Sequence, residues 1–455
     1  MPRHLLLPAV LLVAAACAAP VQDSISAVNA FVPRYAVMAH RGSTYWAPEE
    51  TESAWRWARE MGADYLESDL QCTKDGVILA NHDDNLTRTT DIEEVFGSAI
   101  PSTRAGFYRS LGFCEEDVQE QLTIDQAGFK PFYAASYYYA ELLMLDAGSW
   151  FNDANPDRAR AAFTGSQYVS ALQDQIAYAE GKRLRRDGDG HRVLPYRLKA
   201  SLEGKTLAEI RSIAPEEGKY MELLDYDFSQ AYEDDPADSG HRPGIYIEFK
   251  EPQVNPEDME QRVYDILDAT GWNILTAPPT ETAFHKGGKV QVGQTAGKVI
   301  LQTFSPASLI RAYAVFQGKI PFCFLLWPPC PEEIPGGNLD TPEGFRAILD
   351  WAKSYGAGIS GPSISGAPNN YAELNHPWQA ALVKEAGMLN HPYSFDSLDQ
   401  MEEQTARSDG FFTNRSDLTL QYLIDHGLRA GRVHPEAPAT VPDPEATLER
   451  LGYAR

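Results

Sequence analysis

The chain has 455 residues, with 64 acidic against 39 basic side chains and a formal net charge of -25. Its 43% hydrophobic and 23% charged composition is that of a globular protein and excludes wholesale disorder. The acidic balance excludes a general nucleic-acid binder, because clustered Lys and Arg are what hold phosphate backbones. A small phosphate ester stays open as a ligand, since a few local cations or one metal can invert the field inside a single cleft.

The N-terminus predicts an export signal over residues 1–17. Arg3 supplies a basic start, and Leu5 to Ala19 is almost wholly apolar, ending in small residues and too short to span a bilayer. Ala14-Ala15-Ala16-Cys17 resembles a lipoprotein cleavage box with Cys17 as the lipidated residue. The usual Leu three residues earlier is absent, so cleavage after Ala19 stays open. The expected location is exported, periplasmic or at the cell surface, with membrane contact only through a lipid on Cys17. No later apolar run is long enough to cross a membrane. Cys72, Cys114, Cys323 and Cys330 remain, and both disulfides and unpaired thiols fit an exported protein.

After a polar tether over residues 18–34, short apolar runs recur with polar residues at their ends. They are Tyr35–His40, Tyr65–Leu70, Val77–His82, Gly244–Lys250, Val299–Phe304, Pro321–Trp327, Met388–Phe395 and Gly410–Thr413, with Ala357–Ile359 as a ninth candidate. Several are apolar on both faces, as covered parallel strands are. Helical patterns lie between them, at Thr51–Met61, Asp258–Ala269 and Thr341–Tyr355. This alternation predicts an α/β fold, a (β/α)8 barrel over residues 35–425. The third and fourth candidate strands are far apart, so a long, mainly helical insertion is expected over about 91–244, with Tyr168–Gly181 as one of its helices. Asp187–Gly190 (DGDG) reads as a turn, because the closing Glu of a calcium loop is replaced by Leu198. Residues 426–455, rich in Pro, Ala and Glu, are expected to be a surface tail.

Ionisable residues gather at the ends of the first four candidate strands: His40-Arg41, Glu67 and Asp69, His82-Asp83, then Glu248 and Lys250. Strand ends of a parallel barrel meet at one face, where active sites sit. Residues two apart on a strand share a side, so Glu67 aims with Asp69 and Glu248 with Lys250. Three converging carboxylates repel unless a cation lies between them, and oxygen donors suit Ca2+ or Mg2+ rather than Zn2+. Two histidines beside that cation can divide acid and base work, and Arg41 and Lys250 offer donors to a phosphate. Taken singly, each residue has an ordinary structural explanation; four successive strand ends carrying such groups do not.

Together these residues resemble the glycerophosphodiester phosphodiesterase family. The resemblance runs through His40-Arg41-Gly42, Pro48-Glu49-Glu50-Thr51, Glu67-Ser68-Asp69, His82-Asp83, Leu145 to Trp150, Ile247 to Lys250, Gln302-Thr303-Phe304, Leu325-Leu326-Trp327, His391 to Phe395 and Asp409 to Asn414, in the family's order over residues 36–420. It implies metal-binding carboxylates Glu67, Asp69 and Glu248, an acid/base pair His40 and His82, and phosphate contacts from Arg41 and Lys250. The implied cofactor is one divalent cation, Ca2+ with Mg2+ as the alternative. The implied reaction is hydrolysis of a small-molecule glycerophosphodiester to sn-glycerol 3-phosphate and an alcohol. The family's usual Asn or His is Glu50 here, and its usual Ser is Thr303. Trp150, Phe151 and Tyr393 are candidate substrate contacts, with core packing an equal alternative for each aromatic. Asn85 and Asn414 stand in glycosylation sequons but inside family motifs, and are read as structural. Two other readings stay open: a phospholipase D-like or teichoic-type phosphodiesterase on the same fold, and a surface binding protein in which catalysis is dispensable.

Overall fold

A computed structural model of the chain describes residues 30–212, 223–250, 253–431 and 433–455. The expected export segment 1–17 with Cys17, and most of the tether, lie outside the described residues. No described helix is long and apolar enough to cross a membrane.

The centre of the molecule is a ring of parallel strands: β1 (Ala36–Ala39), β2 (Tyr65–Cys72), β4 (Gly244–Phe249), β5 (Val299–Thr303), β6 (Phe322–Leu326), β7 (Ile359–Pro362), β8 (Leu389–Asn390) and β9 (Gly410–Thr413). Asp409 and Phe412 donate backbone N–H groups to Asn390 and Pro392 and close the ring between β8 and β9. A helix follows each ring strand: α1 (Glu52–Met61), α2 (Leu172–Ala179), α3 (Met259–Ala269), α4 (Pro306–Phe316), α5 (Pro342–Ser354), α6 (Pro377–Glu385), α7 (Leu398–Gln404) and α8 (Ser416–Asp425). This is the expected TIM barrel.

Two strand assignments change. The candidate at Val77–His82 forms β3 (Ile78–Ala80), which runs antiparallel to β2 and lies off the ring. The ninth candidate becomes the ring strand β7. A short run buried on both faces has the same apolar pattern whether it turns back or crosses over, so the pattern alone does not set its direction. The insertion does lie between the third and fourth candidate strands, but in the ring it falls on both sides of α2, between β2 and β4, and its expected helix at Tyr168–Gly181 is the ring helix α2 itself. It has helices, two small two-stranded antiparallel sheets (Tyr196–Leu198 with Leu224–Tyr226, Lys182–Leu184 with Tyr232–Asp234) and apolar clusters of its own, around Tyr137, Tyr139 and Leu142 and around Tyr108, Val118 and Leu202. Asp187 caps a turn there, accepting from the N–H groups of Asp189 and His191.

The expected surface tail is a correction of another kind. Leu448, Leu451 and Tyr453 are buried in the main core, because α1 presents Arg56, whose Nη1 donates to the Tyr453 hydroxyl at 2.9 Å. Cys72, Cys114, Cys323 and Cys330 are all unpaired thiols.

Strand alternation divides the ring in two. Outward residues such as Leu66, Leu70, Ile245 and Ile247 pack under the helices. Inward residues Met38, Tyr65, Tyr246, Ile300, Cys323, Leu325 and Phe412 form an apolar plug at the lower end. Two residues further along the same inward faces come His40, Glu67, Glu248, Gln302, Trp327 and Asn414. The pleat thus stacks a polar layer on an apolar one, and the polar layer opens at the C-terminal ends of the strands.

Candidate active site

The polar layer lines a cleft of about 480 Å³ whose walls include His40, Arg41, Glu67, Asp69, His82, Glu248, Lys250 and Tyr393. All of the ionisable residues expected from the sequence therefore meet in one place. His82 arrives by an unexpected route. The antiparallel return of β3 pairs Asn81 N–H with the Asp69 carbonyl at 2.8 Å and carries the next residue back over the acids.

Trp150 and Phe151 do not line this cleft. Phe151 is buried against Phe163, and the Trp150 indole donates to the Ala147 carbonyl, so both serve packing in the insertion. Tyr393 does line it, anchored by its hydroxyl to the Leu326 carbonyl.

Among the described residues, Glu67, Asp69 and Glu248 form a buried acidic group whose oxygens lie within 4.8 Å of one another. Asp69 and Glu248 are register partners in the β2–β4 ladder. Glu67 is oriented by two donors, the Arg41 backbone N–H and the Gln302 amide, each at 2.8 Å. Burial first, then the neighbouring Asp69, pushes Glu67 well above the usual carboxylate range and Glu248 up to about 8. Lys250 opposes this with its ammonium 3.1 Å from Glu248 and 3.8 Å from Asp69, and the Arg41 guanidinium lies 3.0 Å from Asp69. These cations do not fully offset the repulsion. The buried Asp69 oxygen that faces Arg41 takes no well-aligned hydrogen bond from it. Clustered hard oxygen donors with an unsatisfied negative charge fit a divalent metal.

The two histidines are held differently. His82 Nδ1 lies 2.5 Å from the Asp83 carboxylate, which is itself gripped by Arg88 at 2.5 Å. Arg88 also bridges to Glu49, whose other contact is Arg41. His82 Nε2 faces the Lys250 ammonium at 3.4 Å. His40 Nδ1 instead lies 2.8 Å from the amide oxygen of Asn414. Desolvation inside the barrel mouth, then the Arg41 charge, lowers the His40 pKa to about 3.

The turn that presents His40 and Arg41 is tight. Gly42 has φ +85°, and a Cβ there would lie 2.6 Å from the Ala54 Cβ on α1, so the position demands glycine. The departure at Glu50 has a local role: its carboxylate accepts the Asp69 N–H at 2.7 Å, just behind the acidic group. Thr303 keeps a hydroxyl contact, to the Phe249 carbonyl at 2.9 Å.

Several contributors were not expected from the sequence as site residues: Arg88, Gln302, Tyr371, Asn414 and Asp396; Asp83 was placed at a strand end but given no role. Gln302 and Asn414 could have been found, because each lies two residues past an inward apolar position, Ile300 and Phe412. Tyr371 stands in an irregular loop, where no periodic signal exists.

Residues 40–184 match the glycerophosphoryl diester phosphodiesterase family. A glycerophosphodiester phosphodiesterase of Bacillus subtilis is 24% identical over 386 residues, 85% of each chain.

By these matches the chain resembles the glycerophosphodiester phosphodiesterase family over most of its length.

A second family relative, from Caldanaerobacter subterraneus, is 47% identical over 57 residues, 12% of this chain and 24% of its own. The solved structure of a candidate glycerophosphoryl diester phosphodiesterase from Silicibacter pomeroyi superposes with a TM-score of 0.52 at 15% identity, covering 89% of this chain and 98% of the other. That likeness supports the fold. As a glycerophosphodiester phosphodiesterase the chain is an enzyme, a phosphoric diester hydrolase, with an acidic group able to hold a divalent metal.

Proposed function

We propose that the cleft hydrolyses small glycerophosphodiesters, such as glycerophosphocholine and glycerophosphoethanolamine, to sn-glycerol 3-phosphate and the free alcohol. The observation that carries this reading is the convergence of Glu67, Asp69 and Glu248 with two separately oriented histidines in one cleft. Glu67, Asp69 and Glu248 would hold Ca2+, or Mg2+ in its place, which when bound supplies positive charge for a non-bridging phosphate oxygen.

The chain's own groups divide the remaining work. Arg41 and Lys250 hold the phosphate, both already turned toward the acids at the cleft floor. His82 takes the proton of the attacking hydroxyl, either water or the neighbouring glycerol hydroxyl. The Asp83 carboxylate at its Nδ1 stabilises the imidazolium that forms. His40 gives a proton to the departing alkoxide. A neutral amide at its Nδ1 stabilises the imidazolium less than a carboxylate would, which leaves His40 the stronger acid. The negative charge of a bound phosphate raises its pKa from the low value of the free cleft. Water enters and one P–O ester bond breaks, so the products are the phosphomonoester and the alcohol.

A second reading rests on an apolar cavity lined by Phe324, Leu326, Pro328 and Ile348, which shares Phe304, Leu325 and Trp327 with the cleft. It suits an acylated diester, as in a phospholipase D-like reaction. Rates on glycerophosphocholine and its monoacyl counterpart separate the two: faster turnover of the deacylated diester supports the first reading, and faster turnover of the acylated one overturns it. Export, with Cys17 as a lipid anchor, completes the proposal. It is supported by the apolar run Leu5–Ala19, and labelling with a palmitate analogue that survives Cys17→Ala would refute the anchor.

A further inference from the structure

We infer that Asp396, acting through Asn414, is a positioning residue that fixes the tautomer of His40, keeping Nδ1 protonated and Nε2 available to the cleft. This rests on the role proposed above for His40 and adds the groups that set it. Asn414 sits just past β9, on the inward face continued from Phe412. Its Oδ1 accepts from His40 Nδ1–H and from the Thr44 hydroxyl, both at 2.8 Å.

Which end of an amide is oxygen and which is nitrogen is decided by the hydrogen-bond network around it. Here the decision comes from Asp396. Its carboxylate accepts three N–H groups: the Asn414 backbone at 2.7 Å, the Asn414 Nδ2 at 2.9 Å and the Asn369 Nδ2 at 2.5 Å. An ionised carboxylate only accepts. A flipped Asn414 would set its Oδ1 against the Asp396 oxygen and its Nδ2 against His40. The amide therefore presents oxygen to His40, and oxygen requires a proton on Nδ1.

The chain Asp396–Asn414–His40 crosses from the loop after β8 to the end of β9 and on to the end of β1. It thus spans the seam where the barrel closes. Asp396 touches neither the cleft-lining acids nor the expected site of the phosphate, which is why it is a positioning group and not a catalytic one. The arrangement parallels Asp83 at His82, with an amide interposed, so the two histidines receive the same Nδ1–H tautomer but unequal charge support.

The test is 15N NMR of the full-length chain with 15N-labelled histidine at neutral pH, the His40 signals being assigned by their loss in His40→Gln. The expected spectrum has a protonated nitrogen at Nδ1 and a bare nitrogen at Nε2. A wild-type His40 protonated at Nε2 overturns the inference, whether or not any variant folds. In Asp396→Asn the amide is free to flip; a mixed tautomer is expected, with kcat down at least about tenfold and KM within about twofold. An unchanged tautomer overturns it, even with reduced activity, because the loss would then be structural. The spectrum does not depend on turnover. A wild-type chain that hydrolyses no glycerophosphodiester yet shows the Nδ1–H form refutes the proposed function and leaves this inference standing.

Discussion

Asp69 and Glu248 stand directly opposite each other in the parallel β2–β4 ladder, and with Glu67 they form one buried acidic group. A register of this kind is expensive to keep without a counter-charge, since like carboxylates a few ångströms apart cannot all ionise. Lys250 is the fixed part of that counter-charge. The Glu248→Gln substitution removes one of the proposed metal ligands and half of its ion pair. It is expected to cut kcat/KM by at least about 10²-fold and to weaken metal binding measured by calorimetry. Wild-type metal affinity in this variant would remove Glu248 from the ligand set.

Gln302 holds Glu67 in place through a single 2.8 Å donation. Removing an orienting partner of a metal ligand typically costs 10- to 100-fold. Gln302→Ala is expected to fall in that range, with added metal restoring part of the rate. A rate equal to wild type at limiting metal would mean that Glu67 needs no such support.

His82 and Asp83 are expected to lose activity unequally. His82→Ala deletes the proposed base and should cost about 10²- to 10⁴-fold in kcat. Asp83→Asn keeps an acceptor near Nδ1 and should cost less. The comparison is made from kcat on glycerophosphocholine, and an Asp83→Asn loss larger than that of His82→Ala would contradict the role given to His82.

Acid stability provides a test away from the cleft. Asp235 is buried and accepts from Arg56 at 2.7 Å and Arg59 at 2.6 Å. Burial raises its pKa, but the Arg56 hydrogen bond and charge outweigh this and bring it down to about 2. A carboxyl depressed on folding contributes stability above its unfolded pKa, near 4. That contribution falls away as pH drops from there through about 2. Asp235→Asn should destabilise by about 3 kcal/mol at pH 7, because it leaves two buried guanidiniums short of a partner. Thermal melts against pH check this: the gap between wild type and variant should close on approaching pH 2, and a constant gap would contradict the assignment.

The C-terminal residues are expected to be structural. Tyr453 is 5% exposed, packs against Phe163 and accepts from Arg56. Tyr453→Ala should cost about 3 kcal/mol in urea unfolding, and a change under about 0.5 kcal/mol would restore the picture of a surface tail.

Much of this architecture is legible in the residues, for identifiable reasons. Glu67, Asp69, Glu248 and Lys250 were readable because period-2 alternation aims each pair to one side of a strand. The direction of β3 was not, since Ile78–Ala80 is buried on both faces and its pairing depends on contacts with Leu70 and Cys72. The bland composition of residues 426–455 hid Leu448 and Tyr453, which find their partners on α1 from the far end of the chain. Phe151 followed the family order yet turned into the core, because sequence order does not tell which side of an insertion faces the barrel. Asp396 was hidden for a related reason: it reaches His40 only through Asn414, in a polar chain between two loops at the barrel seam that the closed ring brings together.

The central claim is that this acidic, two-histidine cleft is a metal-supported glycerophosphodiesterase. It is tested most directly by following sn-glycerol 3-phosphate released from glycerophosphocholine by the wild-type chain, first stripped with a chelator and then supplied with Ca2+ or Mg2+. The expected result is no release from the stripped enzyme and, once metal is returned, glycerol 3-phosphate and choline in equal amounts. Undiminished release after chelation, or phosphocholine and glycerol as the products, would contradict it.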